Sequence, residues 1–314
     1  MVPLLVLGDF AWDVLIRTNT ELLTGGDTYG EVMLQPGGSG ANVAIWARRC
    51  GLETGFVGKI GRDRMGELAE EDLLGEGVRP WLLRSDTQLT SSVAVFVDET
   101  GERSMVSGRG ADHYLLPSEL PRELIESAGH LHLTAWSFFT DPPREAARKA
   151  AACARDAGVP VSLDPGSFQL IGEIGVDTFL GFTTDLGLAV LLPNYEEGSI
   201  LTGEVEPERI AERLAELYPG ALIMLKLDAD GALVFENGSS QHIPPAPGRL
   251  VDATGAGDAF AGAFLSRWLT GESPEAAARF ATRVSAWVIG RLGARPQGEW
   301  EEAVKQMEAG AAGG

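Results

Sequence analysis

From Leu131 onward the chain repeats one local pattern: a short apolar run, a loop at its end, then a helix-length stretch with apolar residues three and four apart. Leu131 to Leu133 reads as a strand, and Pro142 to Ala157 as a helix with Asp141 as its N-cap and Gly158 as its stop. Val159 to Leu163, Leu188 to Leu192 and Ala221 to Leu227 read as further strands, with a helix at Pro207 to Leu217 before the last of them. Strands that alternate with helices are joined by crossovers, so the expected class is α/β with a mostly parallel central sheet. A last helix, about Pro274 to Ile289, is capped by Ser273 and ended by Gly290.

The first half departs from this rhythm. Leu4 to Leu7 reads as a buried strand, which places Asp13 just past a strand's carboxyl end, where open α/β sheets hold ligands. Val14 to Leu34 mixes polar and apolar residues in the manner of an exposed hairpin, and Phe56 to Gly61 reads as a second core strand followed by a helix from about Met65 to Gly75. Val93 to Asp98 and Arg103 to Ser107 flank the turn signal Glu99-Thr100-Gly101-Glu102. Segments at about 12–35 and 90–110 are thus expected to form a small separate sheet, a lid over a pocket; pattern alone serves an edge hairpin equally well.

With 25 Lys+Arg against 45 Asp+Glu, the net charge of -20 repels nucleic acid and anionic membranes. Cys50 and Cys153 have no second ligand at metal spacing and read as buried free thiols. No apolar run approaches the ~20 residues that cross a bilayer. The first apolar run lacks the flanks of a signal peptide, so a cytoplasmic location is expected. The 314 residues are expected to form one domain with a flexible tail at 309–314.

Chemistry concentrates in Asp252-Ala253-Thr254-Gly255-Ala256-Gly257-Asp258. Gly255, Ala256 and Gly257 let backbone approach a ligand, and the helix they open, about Ala256 to Leu269, aims unpaired N–H groups at an anion. Asp258 lies in its first turn; the plain alternative is an acid favoured there by the helix dipole. The Walker pattern is absent, and the glycines from Gly37 to Gly40 do not follow the dinucleotide fingerprint, so any nucleotide site must be built differently.

Taken together, the motifs resemble the ribokinase-like, or PfkB, family of carbohydrate kinases over nearly the whole chain. Gly37-Gly38 with Asn42 and Ala44 match its amino-terminal signature, Asp252 with Gly255 to Asp258 its carboxyl-terminal one, and Asn194 with Glu197 its Asn-x-x-Glu motif. The resemblance implies a three-layer α/β/α fold with a small β-sheet lid, and transfer of the γ-phosphate of ATP to a hydroxymethyl group of a monosaccharide or sugar acid. In that reading Asp258 is the base, and Gly255, Ala256 and Gly257 form the anion hole. Asp13, Gly38 and Asn42 bind sugar hydroxyls; Arg109, where the second lid strand returns to the core, could meet an acidic sugar or a phosphate, with a plain surface ion pair as the alternative. Asn194, Lys226, Gly231 and Gly257 face the nucleotide. Glu197 with Asn194 holds Mg²⁺ through water, and a monovalent cation such as K⁺ is a further candidate.

Some positions depart from the family. Ala253 and Asp228 stand where a hydroxyl residue and a glycine are usual. Thr134 to Ser137 lacks the Glu of true ribokinases, and Asp164 to Ser167 lacks the Asn and Arg of fructokinases. The competing readings are a nucleoside kinase, with Phe10, Trp12 or Trp136 stacking a base, and a non-catalytic sugar-binding protein. A homodimer through the lid is also expected, because two half-exposed sheets can cover each other.

Overall fold

The strand Leu4–Leu7 sends Leu4 and Val6 into one hydrophobic core and Leu5 and Leu7 into another. Alternation of side chains along a strand means that both faces of the sheet are covered. Helices Ser39–Arg49, Ala256–Trp268 and Pro274–Ile289 contribute to the first core, and Pro143–Asp156 and Pro207–Leu217 to the second. The computed structural model, which describes residues 2–97 and 103–311, is therefore a three-layer α/β/α arrangement.

In chain order the strands are β1 (Leu4–Leu7), β2 (Ala11–Thr18), β3 (Gly30–Gly37), β4 (Thr54–Gly61), β5 (Arg79–Ser85), β6 (Ser91–Val97) and β7 (Arg103–Ser107). They continue as β8 (Leu131–Thr134), β9 (Val161–Asp164), β10 (Val190–Leu191), β11 (Leu222–Lys226), β12 (Ala232–Glu236) and β13 (Ser239–Ile243). The large sheet has nine strands in the order β13-β12-β11-β10-β9-β8-β1-β4-β5. Its pairs are parallel from β11 to β5, while β12 and β13 add antiparallel at one edge. Register brings the carboxyl ends together: Leu7 lies opposite Leu133, Thr134 opposite Asp164, and Asn194 bridges to Lys226. Loops that leave these ends open on one edge of the sheet, which is where the candidate chemistry sits.

The second sheet has four strands in the order β3-β2-β6-β7. It is built by the two chain segments whose sequence suggested a lid, and the turn expected at Glu99 to Glu102 lies outside the described residues. Its own core is small: Leu15, Val95 and Val97 are buried, with Met33 and Val93 packed against them.

Several expectations need correction. Asp13 is inside β2; the loop after β1 carries Asp9 instead, because the chain enters the small sheet at Ala11 and pairs there with β3 and β6. Asp141 does not cap the following helix, which starts at Pro143 with Pro142 at the cap; the Asp141 carboxylate pairs with Arg144 at 3.3 Å. Strand β5 carries Pro80 and exposed charges and lacks clean alternation, which an edge strand tolerates. Pro274–Ile289 is not the last helix, because Trp300–Ala311 follows. Trp300 and Met307 pack against the first core, so helix covers the start of the expected tail; residues 312–314 lie outside the described part.

Candidate active site

The helix Ala256–Trp268 begins where the loop before it is held from two sides. Asp252, buried, accepts the Thr254 amide at 2.7 Å and the Gly293 amide at 2.8 Å. Gly255 then turns the chain with φ 70°, and a Cβ there would stand 2.5 Å from the Ala294 Cβ. Both the backbone angle and the lack of space demand glycine. The Thr254 hydroxyl is buried without a hydrogen-bond partner, the kind of polar orphan that a bound group satisfies.

Asp258 follows in the first turn of this helix and is partly buried. Its Oδ2 accepts a hydrogen bond from Asn42 Nδ2 at 2.8 Å. Burial raises its pKa to about 7; the Asn42 bond works against that rise, Asp164 and Asp9 add to it, and Lys226 offsets part. A carboxylate poised near neutrality suits a general base. Asn42 reaches it from the helix Ser39–Arg49, entered through Gly37 and Gly38. Gly38 has φ 89°, and Asp9 closes the turn by accepting the Ser39 and Gly40 amides, each at 3.1 Å.

A cleft of about 400 Å³ lies between this helix start and the small sheet. Asp9, Asn42 and Asp258 line it from the core, and Asp13, Val93 and Met105 from β2, β6 and β7. Asp112 and Trp136 also line it. Asp112 is hydrogen-bonded by Ser91, and burial pushes its carboxyl up to about 6. The Asp13 carboxylate packs directly over Gly37, where a side chain would displace it.

On the other side of the helix start, Lys226 at the end of β11 is buried and pairs with Asp164 Oδ2 at 2.6 Å. Burial disfavours its charge, yet Asp164 and then Glu197 hold its pKa above the ordinary value. Lys226 Nζ lies 3.4 Å from the position a Gly257 Cβ would take, so a cation sits beside the anion-binding turn. Asn194 and Glu197 form a reciprocal cap: Asn194 Oδ1 accepts the Glu197 amide at 2.8 Å and Glu197 Oε2 accepts the Asn194 amide at 2.9 Å. Glu197 is buried, and burial followed by repulsion from Asp164 raises its pKa.

The predicted site residues fall into three groups. Asp13, Gly38, Asn42, Gly255 and Asp258 line one cleft. Gly257 and Lys226 adjoin on its far side, with Glu197 and Asp164 near enough to shift the Lys226 charge. Arg109 is exposed, and its neighbour Gly108 lines the cleft in its place. Gly231 shapes the turn between β11 and β12 with φ 90° and borders no described cleft. Asp9, Asp112, Asp164 and Arg295 were not singled out as site residues. Asp9 and Asp164 had a readable signal, an acid at a strand's carboxyl end, whereas Arg295 acts across the whole chain and has no local one.

The profile of the pfkB family carbohydrate kinases matches residues 4–301. The chain belongs to that family. It is 31% identical over 300 residues to the ATP-dependent ribose-1-phosphate kinase of Halopiger xanaduensis, covering 94% of each chain. To a fructokinase of Escherichia coli it is 32% identical over 265 residues, 83% of this chain and 82% of the other. The structure of Arabidopsis thaliana ribokinase complexed with ribose and ATP superposes with a TM-score of 0.81 at 26% identity, covering 98% of this chain and 99% of that one. The fold is thus ribokinase-like, and the protein is a sugar or nucleoside kinase, a phosphotransferase with an alcohol acceptor. No helix among the described residues is long and apolar enough to cross a membrane.

Proposed function

We propose that this kinase transfers the γ-phosphoryl group of ATP to a hydroxymethyl group of an uncharged monosaccharide, with Asp258 as the base. The observation that carries the reading is Asp258 itself, partly buried in the first turn of a glycine-started helix, hydrogen-bonded by Asn42, with Lys226 beside the same turn. Asp258 takes the hydroxyl proton, the oxygen forms a bond to the γ-phosphorus, and the bond from that phosphorus to the bridging oxygen breaks to leave ADP. The Gly257 amide and the Lys226 ammonium beside it would meet the phosphoryl oxygens, while the Ala256 amide already donates to the Ala253 carbonyl at 3.3 Å. This transfer needs placement and charge neutralisation more than covalent work, which matches a site rich in fixed donors.

A divalent ion fits this donor set. Among the described residues no group of three or more His, Cys, Asp or Glu side chains could hold a metal alone, and Mg²⁺ prefers one or two carboxylates with waters and substrate phosphates. Glu197, with Asn194 beside it, would hold the ion through water, and the ion would neutralise phosphate charge.

The cleft also favours one acceptor class. Asp9, Asp13, Asp112 and Asp258 line it, and its described lining includes no Lys or Arg. Carboxylates accept hydrogen bonds from neighbouring hydroxyls and repel a carboxylate or phosphate, so a neutral sugar is favoured over a sugar acid. Purified protein with Mg-ATP should release ADP with at least one neutral monosaccharide and more slowly with sugar acids. Silence across the neutral panel would sink the reading. A nucleoside acceptor is the second reading, supported by the Trp136 ring in the cleft wall; Phe10 and Trp12 are buried in the core instead. Turnover of adenosine in preference to every sugar would select it. Pairing of two small sheets into a homodimer completes the proposal, on the exposed apolar side chains of that sheet.

A further inference from the structure

Arg295 is a buried guanidinium in the segment after the helix Pro274–Ile289, far in sequence from everything it touches. Its Nε donates to Asn42 Oδ1 at 2.6 Å, its Nη1 to Asp72 Oδ2 at 2.5 Å, and its Nη2 to the Gly37 carbonyl at 2.8 Å. Its charge also faces the ring of Phe10 at 5.4 Å. A guanidinium has donors only. The end of the Asn42 amide that faces Arg295 must therefore be the oxygen, which leaves the NH₂ end to face Asp258.

We propose that Arg295 is a positioning residue for phosphoryl transfer: it locks the Asn42 amide so that Asn42 can only donate to Asp258, and it ties the same amide to Gly37 at the end of β3. A freed amide could turn its carbonyl to Asp258, where it would accept from the protonated acid and hold that acid in the form that is no base. Gly37 carries the close approach of Asp13, so one side chain sets the seats of the base and of an acceptor-binding carboxylate. The charged groups around this relay are Asp72, Glu76 and Arg49 on the Arg295 side, and Asp164, Asp9 and Lys226 on the Asp258 side. Asp72 offsets the cost of burying Arg295, so charge balance is met by a residue outside the cleft, and the bond to Asn42 is free for placement.

The inference rests on Asp258 as the base, and the test separates the two. Arg295→Lys keeps a cation for Asp72 and loses the fork that also reaches Asn42 and Gly37. At saturating Mg-ATP and acceptor its kcat should fall about 10²-fold, the cost of a misplaced reacting group, while the ATP KM stays near wild type. The acid limb of its kcat profile should move to higher pH. In an Asn42→Ala background the same substitution should cost almost nothing more. Wild-type kcat in Arg295→Lys, or an equal loss in both backgrounds, would overturn the proposal. Should Arg295→Lys not fold, Asn42→Asp replaces it: the new carboxylate still accepts from Arg295 and, once ionised above the pH where the two acids share a proton, has nothing to donate to Asp258, and wild-type kcat in that variant at such pH would equally overturn the relay. An active Asp258→Asn would refute the base; an inactive Asp258→Asn beside a fully active Arg295→Lys would refute the relay alone.

Discussion

The two walls of the cleft are made differently. The core wall is the start of the helix Ala256–Trp268, where Asp252, Asn42, Asp258, Lys226 and Arg295 are buried or nearly so and bound to one another's surroundings by short hydrogen bonds. The other wall is the four-stranded sheet, with three buried apolar side chains of its own and with Val32, Met105 and Val106 each more than half exposed. Buried polar groups fully satisfied by partners hold one geometry, because an unpaired state costs desolvation. A thin sheet with a small core has less to hold it in place. On the proposed function, chemistry belongs to the stiff wall and acceptor choice to the thin one.

Substitutions should separate the walls. Lys226→Met strikes the stiff one and has the largest expected effect on stability: it leaves Asp164 buried without its cation, costing about 3–5 kcal/mol, and removes the charge beside the anion turn. A thermal melt together with the ATP KM checks both consequences; an unchanged melt would mean that the pair contributes nothing to the wall. Asp13→Asn strikes the thin wall at the cleft. Loss of charge-assisted bonds of about 1.5–3 kcal/mol should raise the acceptor KM about 10- to 100-fold and leave kcat and the melt close to wild type. If kcat fell and KM did not, the division of labour between the walls would be wrong. Val106→Glu lies on the sheet's exposed side and should change monomer stability by less than about 0.5 kcal/mol. If the sheets pair as proposed, light scattering should show the dimer giving way to a monomer; an unchanged mass would count against pairing through this face.

Much of the stiff wall was legible because its signals are local. The small residues at Gly255 to Gly257, the cap pair Asn194 and Glu197, and the helix grammar of Pro207–Leu217 each lie within a few residues of sequence. The parallel sheet followed from alternation of strands and helices. What escaped was non-local. Arg295 meets Asn42 across most of the chain, and no pattern near residue 295 announces a ligand for residue 42. Asp13 was placed in a loop because Gly8-Asp9 looked like a strand's end; it was one, but the chain entered a second sheet three residues later. The edge strand β5 and the helix Trp300–Ala311 lacked clean periodicity, and their packing against neighbours decided them.

The most direct test of the account is kcat for Asp258→Asn, read with the pH profile of the wild type. Burial holds the Asp258 carboxyl at about 7, and only its deprotonated form can take the hydroxyl proton, so wild-type kcat/KM should fall below that pH. A raised carboxyl pKa stabilises the fold at low pH and loses that contribution as pH rises through about 7, so the amide should not lower Tm at pH 8. The account predicts a folded Asp258→Asn protein with kcat lower by about 10³-fold or more, within the range a general base supplies. A folded Asp258→Asn enzyme that turns over within about tenfold of wild type would contradict it.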